Sequence, residues 1–483
     1  MKIDRTLNIL FCTSEAFPYI KTGGLADMSY SLPQELSQKK HNVSVILPFY
    51  SKFISQEDAR YLGYAFVFIL GRQRMVKYYE KIFQGLRYIL VFNEELFGRD
   101  YIYGGPDEAE RFIFFDYAIL ESITALNLDV DILHLNDWQT SLVPYILDEQ
   151  YRQSKPDKYF LIRTLLTIHN LQYQGVYPLE CQEMLGKLND HTYNHFGSFN
   201  MLKTGIVRAS AINTVSPTYK EEIQTQGFGF SLDGDLYWRK SSLFGILNGI
   251  DYQVYNPKTD PNLYKNYQKP YYQKGKQVNK EGLLRDLGLV ENLDFPLISF
   301  ISRLTSQKGV DLVIDVLNDL IECSNANFII IGSGDRGYEE KLQYLRDQFP
   351  TRIYFYKGFE PNLASKTYAG SDLFLMPSLF EPSGLSQMIA CHYGTLPIVR
   401  EVGGLKDSII PYNEFDLKKG CGFTFAYYDL WDFKNAIYRA INLYKYNKPH
   451  FNQLILNAMN KNFSMVKVAK EYISLYNKIL KDF

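Results

Sequence analysis

The chain has 483 residues, too many for one core of usual size, so two or three domains are expected, and a hydrophobic content of 46% is enough to build them. Lys plus Arg number 52 against 53 for Asp plus Glu, so no global field recruits nucleic acid or an acidic membrane surface. Five scattered cysteines without a C-x-x-C pair argue against a disulfide framework or zinc site and for reduced thiols in a cytoplasmic protein.

Strand-like sequence begins within a few residues of Met1, and no apolar stretch reaches the length of a membrane span, so neither a signal peptide nor an anchor is expected. From there, short apolar runs alternate with amphipathic helical stretches, the pattern of parallel sheets covered by helices on both faces. The predicted strands of the first half are Leu7 to Phe11, Val43 to Pro48, Tyr88 to Phe92, Asp131 to Leu135, Leu165 to Ile168 and Ala211 to Val215. Behind the first comes KTGGLAD, Lys21 to Asp27. Gly23 and Gly24 permit close backbone approach and positive φ, Lys21 supplies a charge, and a helix from about Met28 offers its N-terminal amides to an anion. A bare tight turn would read the same way. Asp137 in HLNDWQ follows the fourth strand, as a cleft-facing acid or as the N-cap of the next helix. His169 and Asn170 follow the fifth, where a lone His is commonly a hydrogen-bonded structural residue.

Turn chemistry and broken periodicity from Asn248 to Lys274 mark a boundary near residue 250. The rhythm then restarts with predicted strands Leu297 to Ile301, Phe328 to Ile331, Ile353 to Tyr356, Leu373 to Met376 and Leu396 to Val399. SRLTSQKG places Arg303 and Lys308 across a turn behind the first of these, with Gly309 opening a helix, and two cations there suit an anion between them as well as open solvent. FEPSGLSQ sets Glu381 ahead of a helix start at Ser383 to Ser386, either to grip sugar hydroxyls and support positive charge or merely to sit at a helix N-terminus. VGGL, Val402 to Leu405, repeats the Gly-Gly device at the next strand end. The Asp-x-Asp pairs at Asp129/Asp131 and Asp233/Asp235 precede a strand and lie in a Gly loop respectively, so neither is read as a metal site. A closing helix is expected over roughly Phe463 to Leu480.

KTGGLAD, HNLQYQG, NGID, SRLTSQKG, FEPSGLSQ and VGGL fall in the order seen in bacterial glycogen synthases and plant starch synthases, and the resemblance runs from about Leu7 to the final helix. It implies an α/β GT-B fold: two Rossmann-like doubly wound domains with an interdomain active-site cleft. The implied domains are 1–249 on the acceptor side, 250–462 on the nucleotide side and a terminal helix at 463–483 packing back on the first. It also implies a metal-independent, retaining transfer of glucose from ADP-glucose to the non-reducing 4-hydroxyl of an α-1,4-glucan, with no cofactor.

Position by position, Lys21 resembles the donor-phosphate lysine, with Gly23, Gly24 and Asp27 in the same loop. Arg303 and Lys308 resemble the pair that neutralises the departing diphosphate, and Glu381 the acid that grips the glucosyl hydroxyls. His169 matches the histidine near the sugar's C6 hydroxyl, and Asp137 the acid beside the sugar. Asn248 resembles a donor-sugar contact, with Asn170 and Tyr103 as further sugar neighbours and Ser383, Gly384, Leu385 and Ser386 beside the nucleotide. The chain departs from the commoner pattern in places. Phe359 stands where many relatives have Tyr beside the base, Ser383 where Cys is frequent and Met465 where Trp is usual, and a second His often seen after the DW pair is missing. Phe359 keeps a stacking surface but loses a hydroxyl. The alternatives are a transferase using UDP-glucose or another acceptor, and a glucan-binding homologue without chemistry.

Overall fold

In a computed structural model of the chain, which describes residues 5–186 and 191–482, two compact units are formed. One takes the chain up to Ile246 and again from Met465; the other is Leu247–Ser464. The first residues, where the leader-free start was expected, lie outside the described residues.

The first unit is built on a nine-stranded sheet. Its strands are β1 (Asn8–Cys12), β2 (Asn42–Pro48), β3 (Arg60–Ile69), β4 (Arg72–Phe83), β5 (Leu86–Phe92), β6 (Ile132–Asn136), β7 (Arg163–Ile168), β11 (Ala211–Thr214) and β12 (Leu243–Gly245). Between β7 and β11 lie the short strands β8 (Val176–Pro178), β9 (Asn194–His195) and β10 (Ser198–Asn200), which pair antiparallel in a sheet of their own. The large sheet runs β12-β11-β7-β6-β1-β2-β5-β4-β3. Strand order therefore reverses between β1 and β6, and a doubly wound sheet opens its ligand crevice at the carboxyl ends of the strands at such a reversal.

The runs predicted as strands are the central parallel ones, each observed within two residues of the expected limits. They are buried on both faces, as in β6, where every residue is inaccessible. The antiparallel hairpin β3–β4 at the sheet edge was not predicted. Its open face leaves Tyr61, Tyr64, Phe66, Phe68 and Met75 exposed, so burial alternates along β3 although its sequence from Tyr64 to Ile69 is apolar throughout. Helix Met465–Asp482 closes this unit, burying Val468, Tyr472, Tyr476 and Ile479. Two of its phenols anchor it: Tyr476 Oη lies 2.7 Å from His134 Nδ1, and Tyr472 Oη accepts from Asn213 Nδ2 at 2.9 Å. Val466, in the first turn of the same helix, is exposed.

The second unit is a six-stranded parallel sheet ordered β15-β14-β13-β16-β17-β18. Its strands are β13 (Leu297–Ile301), β14 (Asn327–Gly332), β15 (Ile353–Lys357), β16 (Leu373–Met376), β17 (Leu396–Arg400) and β18 (Phe423–Phe425). Here the order reverses between β13 and β16, which are paired neighbours. Beneath them, Lys280 from helix Gln273–Asp286 reaches Asp372 at 2.7 Å, and Asp372 also accepts the Leu297 amide, tying the start of β13 to the start of β16. Among the described residues no helix is long and apolar enough to cross a membrane.

Candidate active site

In the second unit the segments after β13 and β16 are stitched together by the backbone. The Leu379 amide donates to the Gln307 carbonyl at 2.8 Å, and Gln307 Nε2 donates to the Phe380 carbonyl at 3.3 Å. Gly309, in the left-handed region at φ 71°, lets the first segment turn into helix Val310–Ser324. A Cβ there would sit 2.1 Å from the Pro377 carbonyl oxygen, so only glycine allows the two segments to lie this close. The result brings Lys308 Nζ to 2.6 Å from Glu381 Oε2, and Ser378 Oγ donates to the same oxygen at 3.0 Å.

Glu381 is 5% exposed, and helix Ser386–His392 begins five residues further on, so the carboxylate does not belong to that helix's first turn. The helix start was expected at Ser383 to Ser386, and it falls at the end of that stretch, with Ser383 and Gly384 before it and Leu385 as its N-cap. VGGL turns out to support Glu381. The Gly404 amide donates to the Glu381 carbonyl at 3.1 Å, and a Cβ on Gly403 would meet that carbonyl oxygen at 2.1 Å. Arg303 is exposed and makes no ion pair among the described residues. Asn248 is buried, and its Oδ1 finds no hydrogen-bond partner among the described residues. Phe359, beyond β15, is 66% exposed.

In the first unit the corresponding reversal is flanked by the segments after β1 and β6, with that after β7 beside them. Helix Gly24–Gln38 starts four residues before the expected Met28, with Gly23 as N-cap. Gly23 has φ −160°, and neither it nor Gly24 takes a positive φ, so the conformational reason expected for this pair is not the operative one. Gly23 is exposed, and a Cβ on it would meet nothing within 4 Å, so no close approach demands glycine there. Lys21 and Asp27 form a 2.7 Å ion pair, open to solvent and therefore weak.

Asp137 does not cap the short helix that follows it. Its Oδ1 instead accepts the His169 amide at 2.7 Å, and its backbone sits at φ 56°, a costly conformation for a non-glycine residue. Asn136 Nδ2 donates to the Cys12 carbonyl, so its Oδ1 accepts from His169 Nε2 at 2.9 Å and leaves His169 Nδ1 as an acceptor. Asn170 Oδ1 accepts the Gln172 amide, and Tyr103 Oη is 2.9 Å from Ser14 Oγ. Asn136 and Ser378 were missed in the sequence. Their roles depend on strand register, which carries no local signature.

Burial lowers the His169 imidazole to about 4, so it is neutral at physiological pH. Burial raises the Asp137 carboxyl to about 7 against the amide bonds from His169 and Asn170, and nearby Glu15 adds to the rise. An unfolded Asp titrates near ~3.9, so folding takes up a proton between that value and about 7. This contribution is complete below ~3.9 and is lost as pH rises through about 7. The melting temperature of the wild type is therefore expected to fall relative to Asp137→Asn between about pH 4 and 7 and to level off above about pH 7, and calorimetry of both proteins checks it. The His169 contribution has the opposite sign and is common to the two, so the difference removes it.

Asp131 binds Arg5 and the Asn8 amide. Asp233 and Asp235 lie in the first turn of helix Asp233–Trp238, where a Gly loop was expected. Among the described residues no group of three or more His, Cys, Asp or Glu is placed to hold a metal.

Two Rossmann-like units, one with cations and a buried carboxylate at its strand reversal, define a glycosyltransferase of the GT-B fold. A family model described as the starch synthase catalytic domain matches residues 8–238, and one for glycosyl transferases group 1 matches 288–454. The chain belongs to the glycogen and starch synthase family. It is 48% identical over 476 residues to the glycogen synthase of Acholeplasma laidlawii, covering 98% of this chain and 99% of that one. It is 43% identical to the glycogen synthase of Exiguobacterium sibiricum, again over 98% and 99% of the two chains. The catalytic domain of starch synthase IV from Arabidopsis thaliana, solved with ADP and acarbose bound, superposes with a TM-score of 0.90 at 31% identity, covering 99% of this chain and all of that one. Sucrose-phosphate synthase from Thermosynechococcus elongatus shares the fold at 15% identity and a TM-score of 0.62, over 99% of this chain and 100% of its own.

Proposed function

We propose that the chain transfers glucose from ADP-glucose to the non-reducing 4-hydroxyl of an α-1,4-glucan with retention of configuration, in glycogen biosynthesis. The observation that carries the chemistry is the Lys308–Glu381 pair at the β13/β16 reversal, with Arg303 on the same segment as Lys308. Full-length likeness to proteins named glycogen synthase supports the substrate class, and the ADP held by the Arabidopsis enzyme supports the base.

In this reading Arg303 and Lys308 neutralise the diphosphate as the bond from C1 to its oxygen breaks and the electron pair leaves with the phosphate. The acceptor oxygen attacks C1 on the face the phosphate leaves, and its proton goes to the departing phosphate oxygen. Glu381 grips glucosyl hydroxyls and supports the positive charge growing at C1. Lys21 and the amides of the exposed Gly23 and Gly24 hold donor phosphate, with Asp27 beside them. His169, neutral and able to accept at Nδ1, receives the C6 hydroxyl, while Asp137, Asn170, Tyr103 and Asn248 line the sugar. The Asn248 Oδ1, without a partner among the described residues, suits a sugar hydroxyl donor. Phe359 offers its exposed ring to the base, and the turn from Ser383 to Ser386 its amides to the nucleotide. We place the reaction in the cytoplasm, where five cysteines without a disulfide are at home.

Transfer of radiolabel to glycogen from ADP-glucose, compared with UDP-glucose at equal concentration, tests the donor. Preference for UDP-glucose would reject the adenine reading, and incorporation from neither would leave a glucan-binding homologue. Because side-chain cations perform the charge neutralisation, activity is expected to persist in excess EDTA. Loss of activity restored by magnesium or manganese would reject the metal-free mechanism.

A further inference from the structure

We propose that Glu15 is the positioning residue for the turn carrying Lys21, Gly23 and Gly24; the proposal rests on the donor-binding role assigned to that turn. Glu15 follows β1 and is 3% exposed, yet makes no ion pair among the described residues. Its Oε2 instead accepts two bonds from a single residue, the Thr22 amide at 2.6 Å and the Thr22 hydroxyl at 2.7 Å. Burying a carboxylate without a bonded cation is costly, and here both hydrogen bonds that its carboxylate accepts among the described residues come from the residue between Lys21 and Gly23. Burial raises the Glu15 carboxyl above the ordinary range, and Thr22 is the main group opposing that rise.

The two ends of this tether differ in a way that gives it direction. Glu15 is fixed by its own backbone, since Thr13 Oγ donates to the Glu15 carbonyl at 2.9 Å and lies 3.0 Å from Ser29 Oγ on helix Gly24–Gln38. The preceding Ser14 carbonyl accepts from buried Tyr50 at 2.9 Å. Lys21, Thr22, Gly23 and Gly24 are all exposed. A rigid buried peg thus holds an exposed turn, aligning the Lys21 ammonium with the first amides of the helix so that both address one anion. Because both bonds reach one oxygen, the carbonyl of a glutamine can replace it. The tether is therefore geometric and does not need the charge.

The test uses Glu15→Ala, Glu15→Gln and Thr22→Val in the full chain. Hydrogen exchange of the segment 17–27 is measured together with steady-state kinetics on ADP-glucose and glycogen. In Glu15→Ala, exchange is expected to accelerate and kcat/KM for the donor to fall by about 10-fold or more, with KM for glycogen changed by less than about 2-fold. Glu15→Gln is expected to restore both to within about 3-fold of wild type, and Thr22→Val, keeping only the amide bond, to fall between. A merely structural Glu15 would lower stability without this donor-specific pattern or its rescue. Wild-type donor kinetics in Glu15→Ala, or in Thr22→Val should the alanine variant not fold, would overturn the proposal, as would a glutamine variant as impaired as alanine. Absence of transfer by the wild type would reject the proposed function instead, while exchange in the variants would still report on the tether.

Discussion

Lys308→Ala is expected to lower kcat by about 10²-fold or more at saturating ADP-glucose, the effect of removing one preorganised charge from a developing anion. Lys308 is held by Glu381 at 2.6 Å, so its ammonium has a fixed position, and on the proposed reading it is shared with the diphosphate when the donor binds. The substitution also leaves a buried carboxylate without its cation, which costs up to about 3–5 kcal/mol in fully buried pairs and less here, because Ser378 still donates to it. A lowered melting temperature should therefore accompany the kinetic loss. Arg303→Ala, at an exposed position without an ion pair among the described residues, should show a comparable kinetic loss with unchanged stability. Near-wild-type kcat in both variants would mean that the diphosphate binds elsewhere.

Glu381→Gln is expected to lower kcat by about 10²-fold or more while changing KM for ADP-glucose by less than about 3-fold. Both bonds that Glu381 accepts go to Oε2, and a glutamine carbonyl can accept them from Lys308 and Ser378, so volume and geometry are kept and only the charge is lost. A charge interaction that grows with positive character at C1 acts mainly in the transition state, whereas hydroxyl contacts act in both states. Wild-type kcat with a raised KM would reduce Glu381 to a binding residue. Because the helix begins only at Ser386, loss of macrodipole stabilisation is not expected to contribute.

The central parallel strands were legible because both of their faces are buried, which makes LISFI and LFLM continuous apolar runs that need no partner to be recognised. The β3–β4 hairpin was not: β4 spreads its apolar residues among Arg, Gln, Lys and Glu, and the apolar run of β3 from Tyr64 to Ile69, open to the same reading as the central strands, was missed. Positions of Lys21, Arg303, Lys308 and Glu381 at strand ends could be read from Gly-containing turns. Their partners could not: Lys308 and Glu381 meet only because β13 and β16, distant in sequence, are neighbours in the sheet. For the same reason Asn136 was invisible as the partner of His169, and VGGL read as a second anion turn when its glycines make room for the Glu381 backbone. Gly309 was recognised as a helix opener, but the approach of the Pro377 carbonyl that demands glycine there is tertiary.

Proton NMR of maltohexaose incubated with the protein, ADP-glucose and excess EDTA tests retaining, metal-free glucosyl transfer most directly. The expected result is growth of the internal α-1,4 anomeric signal in step with ADP release. A β-anomeric signal, or release of ADP with free glucose and no chain extension, would contradict it.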